Sequence, residues 1–163
     1  MTITSPTTET IQIRTKNSTI CLGEPTKVDD FVLNGPGEYE IGGVEVNGVG
    51  RIYLFSTEEI RLAYLDKLNH LLNDEEQELV ADVDILFIPV GGADVLDVKT
   101  AIQIINQIEP KIVIPMYYET IDNFSKEEGI VPEFTDSLKI TSSALPETER
   151  KVIVLPWKSS KKL

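Results

Sequence analysis

Two continuous apolar runs, Asp84-Ile85-Leu86-Phe87-Ile88-Pro89 and Lys111-Ile112-Val113-Ile114-Pro115, constrain this chain more than any other feature. Runs of this length without alternation suit strands buried on both faces. Between them Asp97 stands as an N-cap ahead of Ala101, Ile104, Ile105 and Ile108, which fall on one stripe of a helix. Glu109-Pro110 stops that helix, because proline cannot continue it. Strand, helix and strand in this order close as a right-handed parallel crossover.

The residues before this unit read differently. Ile11–Arg14 and Thr19–Leu22 form a hairpin around Lys16-Asn17-Ser18, and Asp30–Leu33 starts a third strand after Gly23-Glu24-Pro25. In the stretch 34–48, Tyr39, Ile41, Val44 and Val46 alternate with Glu38, Glu40 and Glu45, and Gly42-Gly43 breaks the alternation as a bulge or turn would. Five of the chain's ten glycines fall in this window, so its backbone needs special geometry. Arg51–Phe55 and Ile60–Leu65 complete an antiparallel, half-buried meander. Residues 1–9, rich in Thr, Ser and Pro, are expected to fray.

Three further elements are expected. Asn73 followed by Glu76 has capping-box spacing and opens a short helix to about Ala81. A polar helix runs over Ile121–Glu128 to Gly129, and strands at Leu138–Thr141 and Lys151–Leu155 finish an α/β (α+β) domain over residues 10–157. Trp157 after Pro156 anchors the last strand or an interface, and residues 158–163 are a basic tail.

Composition narrows the function. With 163 residues the chain is one domain with a sizeable core, and a net charge of -12 makes nucleic acids and other polyanions poor partners. The tail lysines Lys158, Lys161 and Lys162 read as a solvated terminus. The single Cys21 excludes an internal disulfide and reads as a small buried hydrophobe. No apolar stretch reaches the roughly 20 residues of a membrane span, and the first residues lack the pattern of a secretory signal, so the expectation is cytoplasmic. One histidine and one cysteine cannot assemble the nitrogen- and sulfur-rich shell of a catalytic zinc, commonly three protein ligands.

Three segments together carry a family resemblance. Asn34-Gly35-Pro36-Gly37-Glu38-Tyr39-Glu40-Ile41, then Asp84 through Gly92, then Ile108 through Met116 resemble the metallo-β-lactamase-fold hydrolases, in the Zn-dependent branch similar to the ascorbate-phosphate lactonases. The resemblance covers about residues 10–118. It implies an αββα sandwich with mixed sheets, here truncated, and a mono- or dinuclear metal site at one edge working by metal-bound hydroxide.

The family's metal residues do not carry over. Its first histidine cluster belongs where only Gly23 to Asp30 stand, so that segment is deleted. Its next motif aligns with Tyr64-Leu65-Asp66-Lys67-Leu68-Asn69-His70, which puts Tyr64 at a histidine and Lys67 at the bridging aspartate. Its last metal histidine corresponds to Tyr117. Tyr64, Lys67 and Tyr117 are thus read as vestigial metal-site positions, and zinc, expected for the family, is not supported. An ammonium at position 67 would repel a dication and could fill the charge hole that a lost metal leaves.

Other candidates remain. Asp66 and His70, four residues apart, could form an acid–base pair, although no Ser or Cys nucleophile accompanies them. Gly91 and Gly92, after a buried strand, could present amides to an anion. Asp94, Asp97 and Glu119 could offer oxygens to a hard cation. The leading expectation is a non-catalytic module for binding, structure or assembly. Deletion of an outer segment should bare apolar sheet surface for a second copy or protein partner to cover. The alternatives are a metal-dependent hydrolase rebuilt around Asp66 and His70, and a small-anion or nucleotide sensor at the Gly91-Gly92 edge.

Overall fold

The computed structural model describes residues 1–91 and 94–156. The first sheet contains β1 (Thr2–Thr7), β2 (Thr10–Arg14), β3 (Thr19–Leu22), β4 (Lys27–Val28) and β5 (Phe31–Val32), each antiparallel to the next. The second begins with β6 (Gly37–Ile41), β7 (Val44–Val49), β8 (Ile52–Thr57) and β9 (Ile60–Leu65), also antiparallel. After α1 (Asp74–Leu79), β10 (Ile85–Pro89) pairs parallel to β9, and after α2 (Val98–Ile108), β11 (Ile112–Met116) pairs parallel to β10. The chain then forms α3 (Asp122–Glu128), β12 (Glu133–Phe134), β13 (Ser137–Lys139), a 3-10 turn at Ser142–Ala144, and β14 (Lys151–Val154). β14 and β12 extend the second sheet beyond β11, and β13 joins the first beside β1. The expected meander is therefore divided between two sheets, and the parallel crossover stands where it was read.

Alternation within each strand builds the sandwich. Ile3, Ile11, Ile13, Ile20, Leu22 and Val28 of the first sheet meet Val46, Phe55, Leu62, Tyr64, Phe87, Ile114 and Ile153 of the second in one buried layer. The opposite face of the second sheet, with Leu54, Ala63, Leu86, Ile88 and Val113, packs on Ala101, Ile104 and Ile105 of α2 and Phe124 of α3. That explains why β10 and β11 are apolar throughout: both of their faces are covered. A capping box between Asn73 and Glu76 starts α1, and Asp97 caps α2 by accepting from Thr100 N–H.

Four expectations need correction. Residues 2–7 do not fray. Ile3 is fully buried, and β1 pairs with β2 on one side and β13 on the other; threonine suits strands well once a partner strand exists. Cys21 is half-buried on the outer face of the first sheet, because Ile20 and Leu22 take the inner one. That outer face is mostly polar, carrying Thr2, Thr4, Gln12, Arg14, Thr19, Cys21 and Lys27, and the exposed apolar residues of the first sheet are Phe31 and Val32 on its edge strand β5. Helices consequently cover only the second sheet among the described residues. Finally, β12 had no sequence signal and β13 sits slightly earlier than expected. Trp157, Gly92 and the tail lie outside the described residues.

Candidate functional site

One end of the sandwich collects the polar groups of interest. It is the end where β9, β10 and β11 finish, and carboxyl ends of parallel strands are where open sheets place their ligands. Tyr64 lies near the end of β9 with its side chain turned into the inter-sheet layer, fully buried. Its hydroxyl donates to Asp66 Oδ1 at 3.0 Å and lies 3.1 Å from the Tyr117 hydroxyl. Tyr64 has a single proton, so with Asp66 as acceptor the second bond must come from Tyr117. The chain of donors then runs Tyr117 to Tyr64 to Asp66.

Backbone geometry holds the three in place. Tyr117 directly follows β11 with φ of 53°, and its N–H donates to the Thr8 carbonyl at 2.8 Å, tying the second sheet to the loop after β1. Lys67, two residues past β9, also has positive φ, 47°. Non-glycine residues in this region cost energy and cluster where surrounding structure overrides local preference. Lys67 Nζ donates to Glu24 Oε1 at 3.0 Å and lies 5.7 Å from the centre of the Tyr117 ring, within cation–π range. Glu24 belongs to the short loop between β3 and β4. No sequence signal pointed to it, because 43 positions separate it from Lys67.

Protonation follows from burial. Burial, the largest cause, pushes the Tyr64 hydroxyl far above the ordinary phenol range, and the bond it donates to Asp66 acts in the same direction. Burial likewise raises Tyr117. Asp66 is also raised by burial, which outweighs the bond it accepts from Tyr64. The Glu24 carboxylate raises Lys67, so its ammonium is retained. Near neutral pH the end therefore presents two neutral phenols, one ammonium and the carboxyl groups of Asp66 and Glu24.

The remaining candidates are not drawn in. The Nδ1 atom of His70 lies 2.8 Å from the Leu71 carbonyl and 3.8 Å from Glu76 Oε1. It is on the exposed side of the loop before α1 and forms no pair with Asp66. Gly91 has a packing role: a Cβ there would run into the Tyr117 carbonyl oxygen. Asp97 is engaged in capping α2. Surface clefts open elsewhere, one of about 430 Å³ over the β6–β7 hairpin and one of about 580 Å³ beside α3.

A zinc centre does not fit these residues. Phenols held protonated and an ammonium are not ligands for a dication. Among the described residues no three His, Cys, Asp or Glu side chains gather to hold one.

Comparison with known proteins identifies the family. A model described as a β-lactamase superfamily domain matches residues 6–117, more than half of the chain. The chain belongs to the β-lactamase superfamily and has its metallo-β-lactamase fold. A crystal structure from Thermotoga maritima, described as a candidate Zn-dependent hydrolase of the metallo-β-lactamase superfamily, is 25% identical with a TM-score of 0.81, covering 94% of this chain and 98% of that one. Igni18, a metallo hydrolase from Ignicoccus hospitalis, shares the fold at 12% identity and a TM-score of 0.61, covering 95% and 94%. A metal-dependent hydrolase of Pyrococcus abyssi is 30% identical over 106 residues, covering 59% of this chain and 44% of that protein. One from Carboxydothermus hydrogenoformans is 41% identical over 54 residues, 33% of this chain and 23% of its own. The chain thus spans less than half the length of these curated relatives.

Proposed function

We propose that this chain is a metallo-β-lactamase-fold domain that works without a catalytic metal, as a binding or assembly module. One observation carries the reading. Tyr64, Lys67 and Tyr117, assigned separately by resemblance to three metal-ligand positions, meet at one end of the sandwich as a hydrogen-bonded, cation-capped cluster. Each phenol hydroxyl there already has a partner, and the ammonium already has a carboxylate, so the cluster is chemically complete. The exposed edge residues Phe31 and Val32 of β5, with Phe31 stacked edge-on against Tyr39, support contact with a second protein copy. A monomer in light scattering would remove that assembly role.

The second reading is a metal-dependent hydrolase, and the names of the relatives favour it. Elemental analysis of protein purified without chelator separates the two. The metal-free reading expects less than about a tenth of an equivalent of zinc, manganese or iron. Close to one equivalent, lost together with esterase or lactonase turnover on chelation, would establish the hydrolase instead.

A further inference from the structure

The disagreement between family chemistry and these residues has a positive side. Lys67 is placed among acidic groups: Glu24 at 3.0 Å, with Glu9 and Asp66 also within electrostatic reach. Two of the three carboxyls come from the first sheet's loops and one from the second sheet, so their repulsion acts across the seam between the sheets. Arg51 is a second cation within electrostatic reach of Asp66. The Tyr117 ring lies beneath the ammonium.

We infer that the Lys67 ammonium is a tethered counter-cation. It supplies the positive charge that this end of the sandwich requires and excludes free divalent ions from the place it occupies. A tethered charge needs no binding equilibrium, because the chain delivers it on folding. Its position is fixed by the left-handed turn at Lys67 and by contact with Tyr117 and Glu24. The inference rests on the metal-free reading proposed above, and its test fails separately from that reading.

The test is thermal unfolding of the full chain at low ionic strength, with and without millimolar Mn²⁺. Wild type and Lys67→Arg should melt alike and ignore the ion. Lys67→Met should melt about 2 °C lower, and adding Glu24→Gln should restore most of the loss, because the carboxylate then needs no counter-charge. Lys67→Asp should lose more and regain part of it with Mn²⁺, since ion binding to the native state raises its melting temperature. If Lys67→Met and Lys67→Asp melt like wild type, or if neither Glu24→Gln nor Mn²⁺ restores anything, the assignment is wrong. If Lys67→Asp does not fold, the Lys67→Met and Glu24→Gln pair still decides. Stoichiometric metal in the wild type would overturn the metal-free reading itself, whatever the variants do.

Discussion

The two ends of the sandwich solve the same problem in opposite ways. At the end near Tyr64, the phenols of Tyr64 and Tyr117 and the carboxyl group of Asp66 are largely withdrawn from water, and burial raises all three. At the other end the β8–β9 hairpin turns through Glu58 and Glu59, both with positive φ. There the Glu58 carboxylate accepts the Lys16 N–H at 2.7 Å and lies 3.1 Å from the Met1 amino group. These partners, with the Lys16 bond the largest cause, lower its pKa. One end holds a partly buried chain of hydrogen bonds beside the Lys67–Glu24 ion pair, the other an ionised carboxylate near the surface. Where water is excluded, neutrality is the cheaper state; where water remains, a carboxylate can stay ionised.

Substitutions at matched positions test this contrast. The largest effect is expected from Gly91→Ala, because its Cβ would meet the backbone of Tyr117, which cannot rotate away. A loss of about 3 kcal/mol or more in urea unfolding is expected. At the opposite end Gly42→Ala has φ of +58° and meets the Ser18 hydroxyl, a side chain that can move, so about 1–2 kcal/mol is expected there. Equal losses at the two glycines would remove the packing contrast.

Tyr64→Phe comes next. It leaves Asp66 without that donor and Tyr117 without that acceptor in a partly buried place, costing about 1–2 kcal/mol. A loss below about 0.5 kcal/mol would mean that the donor chain contributes little. Glu58→Gln should cost less, about 0.5–1 kcal/mol at pH 7, because the carboxylate is near the surface.

The pH profiles should separate the ends by sign. Glu58 is lowered in the folded state, so its contribution is present above the unfolded value of about 4.3 and disappears as pH falls through the folded one. Glu58→Gln should therefore match wild type in acid and fall behind at neutral pH. Asp66 is raised, so its contribution is full below about 3.9 and is lost as pH rises through the folded value. Asp66→Asn should gain on wild type across that interval in unfolding experiments stepped by pH. Profiles of the same sign at both ends would show that burial does not distinguish them.

Much of this architecture was legible from local pattern. The apolar runs of β10 and β11, the stripe on α2, the caps at Asn73 and Asp97 and the Gly42-Gly43 turn all depend on residues a few positions apart. β1 and β12 were not legible, because each depends on a partner strand far along the chain. The polar character of most of the first sheet's outer face was not legible for a related reason. Its polarity lies in the threonines, Gln12 and Lys27, whose facing is decided only by register against the second sheet.

The candidate site divides the same way. Residue identity alone showed which chemistry is scarce, with one histidine and one cysteine, and the family resemblance singled out Tyr64, Lys67 and Tyr117. Only the tertiary structure brought Tyr64 to Tyr117 across 53 positions and Glu24 to Lys67 across 43, and turned His70 away from Asp66. Residue type fixes what a group can donate, accept or carry, whereas its protonation and its partner depend on burial and on segments that folding alone makes neighbours.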